Sequence, residues 1–132
     1  MQLLNVTAMA NIDIALKEVM TIDGALGVAL VDFNSGLALG VLGGGKDLDL
    51  TVAAAGNTDV VRAKMRTMEI LNLHNETIED VLISLTGQYH LIRLLTSRNG
   101  SGLFLYVALD RKRANLAMAR RQLQQVERNL DV

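Results

Sequence analysis

GVLGGGKD, residues 40–47, carries the spacing of a phosphate-binding loop: Gly40, four residues, then Gly45–Lys46. In such a loop backbone N–H groups cradle the phosphates, and the lysine reaches the outer ones. A Ser or Thr after the lysine ligates Mg²⁺. Here Asp47 stands in the hydroxyl's place, where a carboxylate would repel phosphate oxygens. The loop must also leave a strand of a parallel sheet built by strand–helix alternation. The apolar run before Gly40 belongs instead to a hairpin. The glycines therefore read as a connection that uses positive φ, and tight nucleotide binding is not expected. LYVALD, residues 105–110, imitates an apolar strand that ends in a metal-binding aspartate, but such strings are common.

Other residues capable of chemistry are sparse. His74 and His90 stand alone, with no H-x-x-x-H spacing and no cysteine in the chain, so a metal site is not expected. The serines lack a G-x-S-x-G elbow. Glu79 and Asp80 are adjacent on a strand and point to opposite faces, which suits neither a glycosidase pair nor a shared-proton dyad. No nucleophile, base and orienting group converge, so an active site of the chain's own is not expected. Two basic groups remain. Arg62, Lys64 and Arg66 decorate a long helix. Arg111, Lys112 and Arg113 open the last one, where the macrodipole disfavours cations, and Arg120 and Arg121 extend that side. They read as a solvated face, or as a surface for an acidic partner protein centred on Arg113 and Arg120.

The bulk numbers narrow the class. A chain of 132 residues fits one domain, and a chain half hydrophobic and one-fifth charged folds. A formal net charge of −1 argues against generic nucleic-acid binding. No apolar run approaches the roughly 20 residues of a membrane span, and the N-terminus lacks a basic leader region. A cytoplasmic protein without membrane insertion is expected.

Periodicity then places the elements. Ile12, Ala15, Leu16, Val19 and Met20 follow helical spacing, with Asn11 as cap and Asp23–Gly24 as exit. ALGVALVD, residues 25–32, and Leu37–Leu42 form a hairpin about Asn34–Ser35–Gly36. The first of these strands is apolar at successive positions, so both its faces should be covered. A long helix runs from about Asp47, its cap, to Leu73, and Gly56–Asn57 is the place where it could break. Ile78–Thr86 and Tyr89–Thr96 make a second hairpin. SRNGSG, residues 97–102, is a polar loop, and LFLYVALD, residues 103–110, a further strand. A helix from about Arg111 to Asn129, capped by Asp110, closes the chain on a seam of Leu116, Ala119, Leu123, Val126 and Leu130. The order is αββαβββα. The fold class is α+β: a three-layer sandwich of one five-stranded antiparallel sheet with helices on both faces, as one domain over 1–132.

GALGVALVDFNSGLALG (24–40), YHLIRLL (89–95) and LFLYVALDRKRANLAMARRQL (103–123), in this order of elements, resemble the roadblock / dynein light chain family, most of all its stand-alone bacterial members. The resemblance covers nearly the whole chain. It implies a homodimer, or a pair with a sister roadblock protein, joined through the long helix and the third strand, here 47–73 and 78–86. On this sequence the interface would draw on Ala54, Thr58, Val61, Arg62, Met65, Met68, Glu69, Leu82 and Ser84. Two sheets would then join into one of ten strands. The resemblance also implies no catalytic nucleophile, metal or cofactor, and a role as scaffold or regulator of small Ras-like GTPases.

The residues agree with part of this. Leu82 and Ile83 point to opposite faces, so the third strand is apolar on both. Left at a sheet edge it would invite aggregation; pairing with its twin removes the hazard. Ala53–Gly56 and the Met65, Met68 stripe suit a helix–helix contact. The expected function is a non-enzymatic dimeric regulator or scaffold that binds a small Ras-like GTPase. The alternative is a small-molecule sensor or adaptor module without a GTPase. Only four aromatics, Phe33, Tyr89, Phe104 and Tyr106, weigh gently against a planar cofactor pocket there.

Overall fold

The computed structural model describes residues 6–96 and 102–130. Eight elements follow in the expected order: α1 (Val6–Met20), β1 (Ala25–Asp32), β2 (Leu37–Gly43), α2 (Leu50–Ile70), β3 (Asp80–Ser84), β4 (Gln88–Leu94), β5 (Leu103–Asp110) and α3 (Leu116–Asn129). The strands form one sheet in the order β2-β1-β5-β4-β3, and each neighbouring pair is antiparallel. β1 and β5 occupy its middle, and both are buried along almost their whole length.

Alternation along β1 and β5 divides the core in two. Val28, Leu30, Leu105 and Val107 face α1 and α3, where Ile12, Leu16, Val19, Leu123 and Val126 meet them. Ala29, Val31, Phe104 and Tyr106 face the other way, toward Leu50, Ala54 and Val61 of α2. The three-layer sandwich is thus the direct product of two central strands whose inner positions turn apolar side chains toward both faces.

Several boundaries differ from expectation. α1 begins at Val6, which places Asn11 inside the helix and not at its cap. α2 begins at Leu50, and its cap is Asp49, not Asp47; the Asp49 carboxylate accepts from the N–H groups of Thr51 and Val52 at 3.0 and 3.2 Å. The cause is Leu48, which packs into the α2-side core and holds the chain in a tight turn until it is seated. Gly56–Asn57 does not break α2, which runs unbroken for 21 residues. α3 begins at Leu116 with Asn115 as cap, so Arg111, Lys112 and Arg113 precede the helix. The Asp110 carbonyl instead closes a turn on Arg113 and Ala114 at 3.1 and 2.9 Å. Apart from Gly102, the expected polar loop at 97–102 lies outside the described residues.

Candidate docking face

The glycine loop explains itself once its hydrogen bonds are followed. Gly40 is a packing residue: a Cβ there would come within 2.9 Å of Ile12 Cγ2 and Leu16 Cδ1, so glycine lets α1 lie close on β2. Beyond β2, the Gly44 N–H donates to the Leu26 carbonyl at 2.9 Å. Gly45 and Leu48 exchange both of their backbone bonds, each 3.1 Å, across Lys46 and Asp47. A phosphate cradle needs these N–H groups free. Here chain carbonyls hold those of Gly44, Gly45 and Leu48, and the Asp49 carboxylate takes the first N–H groups of α2. The sheet behind the loop is antiparallel as well.

The residues expected at a partner interface lie on α2 and β3. Ala54, Thr58 and Val61 point inward and are almost completely buried in the chain's own core. Thr58 also returns its hydroxyl to the Ala54 carbonyl at 2.7 Å. These three seat α2 on the sheet. Arg62 fastens the helix to the β1–β2 turn: it donates to the carbonyls of Phe33 and Asn34 at 3.2 and 2.9 Å and lies 5.6 Å from the Phe33 ring centroid. Met65 and Glu69 are exposed and Met68 is half-buried. All three line a cavity of about 430 Å³ with Phe33, Leu73, Ile78, Leu94 and Leu103. Asn72, in the left-handed region at φ 61°, turns the chain off the end of α2, a conformation asparagine tolerates.

β3 is an outer strand of five residues. Leu82 packs toward α1 and α3, and Val81 toward α2, so the strand is apolar on both faces. Ser84 at its end is exposed. α2 packs mainly on β1 and β2. A shallow groove therefore opens between α2 and β3, lined by Val60, Lys64, Met68, Glu79 and Val81. Further apolar side chains stand exposed where α2 ends: Ile70 at 77% and Leu71 at 59%.

The basic residues are brought together less than their spacing suggested. Arg120 holds Asp80 of β3 through two bonds of 2.9 and 3.3 Å. Arg111 lies 4.9 Å from the Tyr89 ring centroid and donates to the Leu85 carbonyl. Arg113 stays exposed. Arg93 and Glu127 form a largely buried ion pair at 2.9 Å, and Glu127 also accepts from the Thr96 N–H at 2.9 Å.

One arrangement had no counterpart among the expected sites. On the α2 side of the sheet the His90 and Tyr106 rings meet edge to face, with centroids 5.4 Å apart. Tyr106 Oη lies 3.2 Å from His90 Nδ1, and His90 Nε2 lies 2.7 Å from Gln88 Oε1. Asn57 of α2 bonds the same hydroxyl. Burial pushes the Tyr106 phenol up to about 12, against the opposing effect of the Asn57 bond. Burial lowers His90. The Gln88, His90 spacing on one strand face was the available signal. The other two partners come from elements distant in sequence.

No protein-family model matches the chain, nor does any curated protein. Solved structures do match. Myxococcus xanthus MglB superposes with a TM-score of 0.80 at 18% identity, over 98% of this chain and 91% of that one. The gliding protein MglB of Thermus thermophilus gives 0.78 at 16% identity, over 97% and 91%. A roadblock/LC7 domain from Streptomyces avermitilis gives 0.71 at 17% identity, over 88% and 91%. At these identities the likeness is one of fold: the chain has the roadblock fold.

Proposed function

We propose that this chain is a non-enzymatic regulatory or scaffold subunit that works as a dimer and engages a small Ras-like GTPase. One observation carries the dimer: β3 is an outer strand, paired with β4 on one edge only, with apolar side chains on both faces, beside a groove that α2 leaves open. A second copy, or a sister roadblock chain, would pair with that edge and lay its own long helix in the groove. Met65, Met68, Glu69, Leu82 and Ser84 lie on or beside this surface, and Arg62 holds the helix in place beneath it. The GTPase role rests on the family resemblance and on the likeness in fold to the two MglB structures. Of the two residues at the centre of the secondary basic face, Arg113 is exposed and Arg120 is held by Asp80.

Two measurements test this reading in order. Light scattering at micromolar concentration should give twice the protomer mass; a monomer mass refutes the dimer. An affinity capture from native extract, split between a non-hydrolysable GTP analogue and GDP, should enrich a Ras-like GTPase with one nucleotide. Its absence from both removes the GTPase role.

The cavity beneath the end of α2 favours a second reading, a small-molecule sensor. At about 430 Å³ with a mostly apolar lining it falls in the size range of ligand pockets. A ligand retained in native mass spectrometry would favour it over the GTPase role.

A further inference from the structure

The polar relay beneath the open half of the sheet is satisfied throughout with a neutral imidazole. With Asn57 donating to the phenol oxygen, as its amide can, the chain of bonds runs one way. The Tyr106 hydroxyl then donates to His90 Nδ1, and the His90 Nε2–H donates to the Gln88 Oε1. A proton on Nδ1 turns that nitrogen into a donor. Tyr106 Oη would then accept from His90, and its own hydrogen would have to turn to the Asn57 oxygen. A charged ring would be held only by the neutral groups Tyr106, Asn57 and Gln88.

The relay also lies on the strand next to the outer one. His90 stands opposite Ile83 of the outer strand in register and is half-buried in the single chain. On β5 it faces Tyr106, with Ala108 as its register partner. On α2 the neutral Asn57 reaches it through Tyr106. Of the charged side chains, Lys64 of α2 and Glu79 before β3 line the adjoining groove with Val81, and Asp80 is bound to Arg120. Neither immediate partner of the ring, Tyr106 or Gln88, is an anion that would compensate a charged imidazole.

We propose that His90 makes pairing across the β3 edge pH-dependent, the neutral imidazole completing the relay under the interface and the protonated one loosening it. This rests on the dimer reading above and names the regulation of that surface. The sign follows from linkage. The paired state buries His90 further and so binds fewer protons than the free chain, and pairing strengthens as pH rises. It is strongest where His90 of the free chain is already neutral, and weakens as pH falls through the range, lowered by burial, in which that ring takes up its proton. Each unit by which pairing lowers the titration of His90 is about tenfold per protomer in the limit of acid pH.

Sedimentation equilibrium at pH 7.5 and 5.5, on the whole chain and on His90→Asn, tests this. Asparagine keeps an oxygen acceptor for the Tyr106 hydroxyl and cannot gain a proton. The dimer of the unaltered chain should dissociate at least about tenfold more readily at pH 5.5, and that of His90→Asn should respond much less. Equal weakening in both, or none in either, overturns the role of His90 while the dimer stands. A monomer at both pH values overturns the dimer reading and this inference with it. Should His90→Asn fail to fold, NMR titration of the unaltered chain decides. The His90 ring should titrate lower as protein concentration crosses the dissociation constant. A His90 titration independent of concentration overturns the proposal.

Discussion

At the scale of single residues, the side chains that matter most are those whose partners lie far away in sequence. Glu127 reads as one more polar position on the last helix. In the fold it is buried and holds both the Arg93 guanidinium and the Thr96 N–H, tying α3 to the end of β4. Glu127→Ala would leave a largely buried cation and a backbone donor unanswered, and should cost about 2–4 kcal/mol of unfolding free energy, read by urea denaturation. The Arg120–Asp80 pair is more open to water, so Asp80→Ala should cost about 1 kcal/mol or less. Equal losses in the two variants would refute the burial argument. The same distance in sequence hid the Asn57–Tyr106–His90–Gln88 relay. Asn57 carries a helix-breaking signature, His90 a bland strand position, and only the sheet register places them together.

At the scale of elements, legibility followed the strength of apolar patterning. β1 and β5 lie at 25–32 and 103–110 as their unbroken apolar runs indicate. Helix starts were less legible, because two candidate caps compete within a few residues and the winner is set by tertiary seating. Leu48 must reach the core before α2 can begin, so Asp49 caps and Asp47 does not. Asp49→Ala should therefore cost about 1 kcal/mol, and Asp47→Ala close to none. A reversed order in thermal or urea unfolding would overturn this assignment. Gly40 belongs to the same scale. Its spacing to Lys46 suggests chemistry, yet its missing Cβ is what lets α1 approach β2. Gly40→Ala would push Ile12 and Leu16 outward and should cost about 1–3 kcal/mol as an overpacking change. Nucleotide affinity, measured by calorimetry, should stay undetectable at micromolar ATP or GTP in both the unaltered chain and this variant.

At the scale of the whole molecule, the composition of the sheet was readable and its incompleteness was not. That β3 is apolar on both faces can be seen from Val81, Leu82 and Ile83. That α2 leaves the β3 side of its face open depends on where the helix crosses the sheet, and no periodicity reports that. Of the nine residues expected at the interface, Ala54, Thr58 and Val61 satisfy helical spacing toward an apolar neighbour; the spacing alone does not say whether that neighbour is the chain's own sheet or a partner. The exposed counterpart on the groove side is Val60, 37% accessible beside Lys64 and Val81. If a second chain fills the groove, dimerisation adds stability by mass action. The melting temperature should then rise with protein concentration. Val60→Asp would place a charge in that contact without touching the protomer core. It should raise the dimer dissociation constant by about a hundredfold or more, on the order of 3 kcal/mol, and should flatten the dependence of melting on concentration. Arg113→Glu, on an exposed turn away from the groove, should change neither. A Val60→Asp chain that still melts with the concentration dependence of the unaltered one would show that the groove is not where the two copies meet.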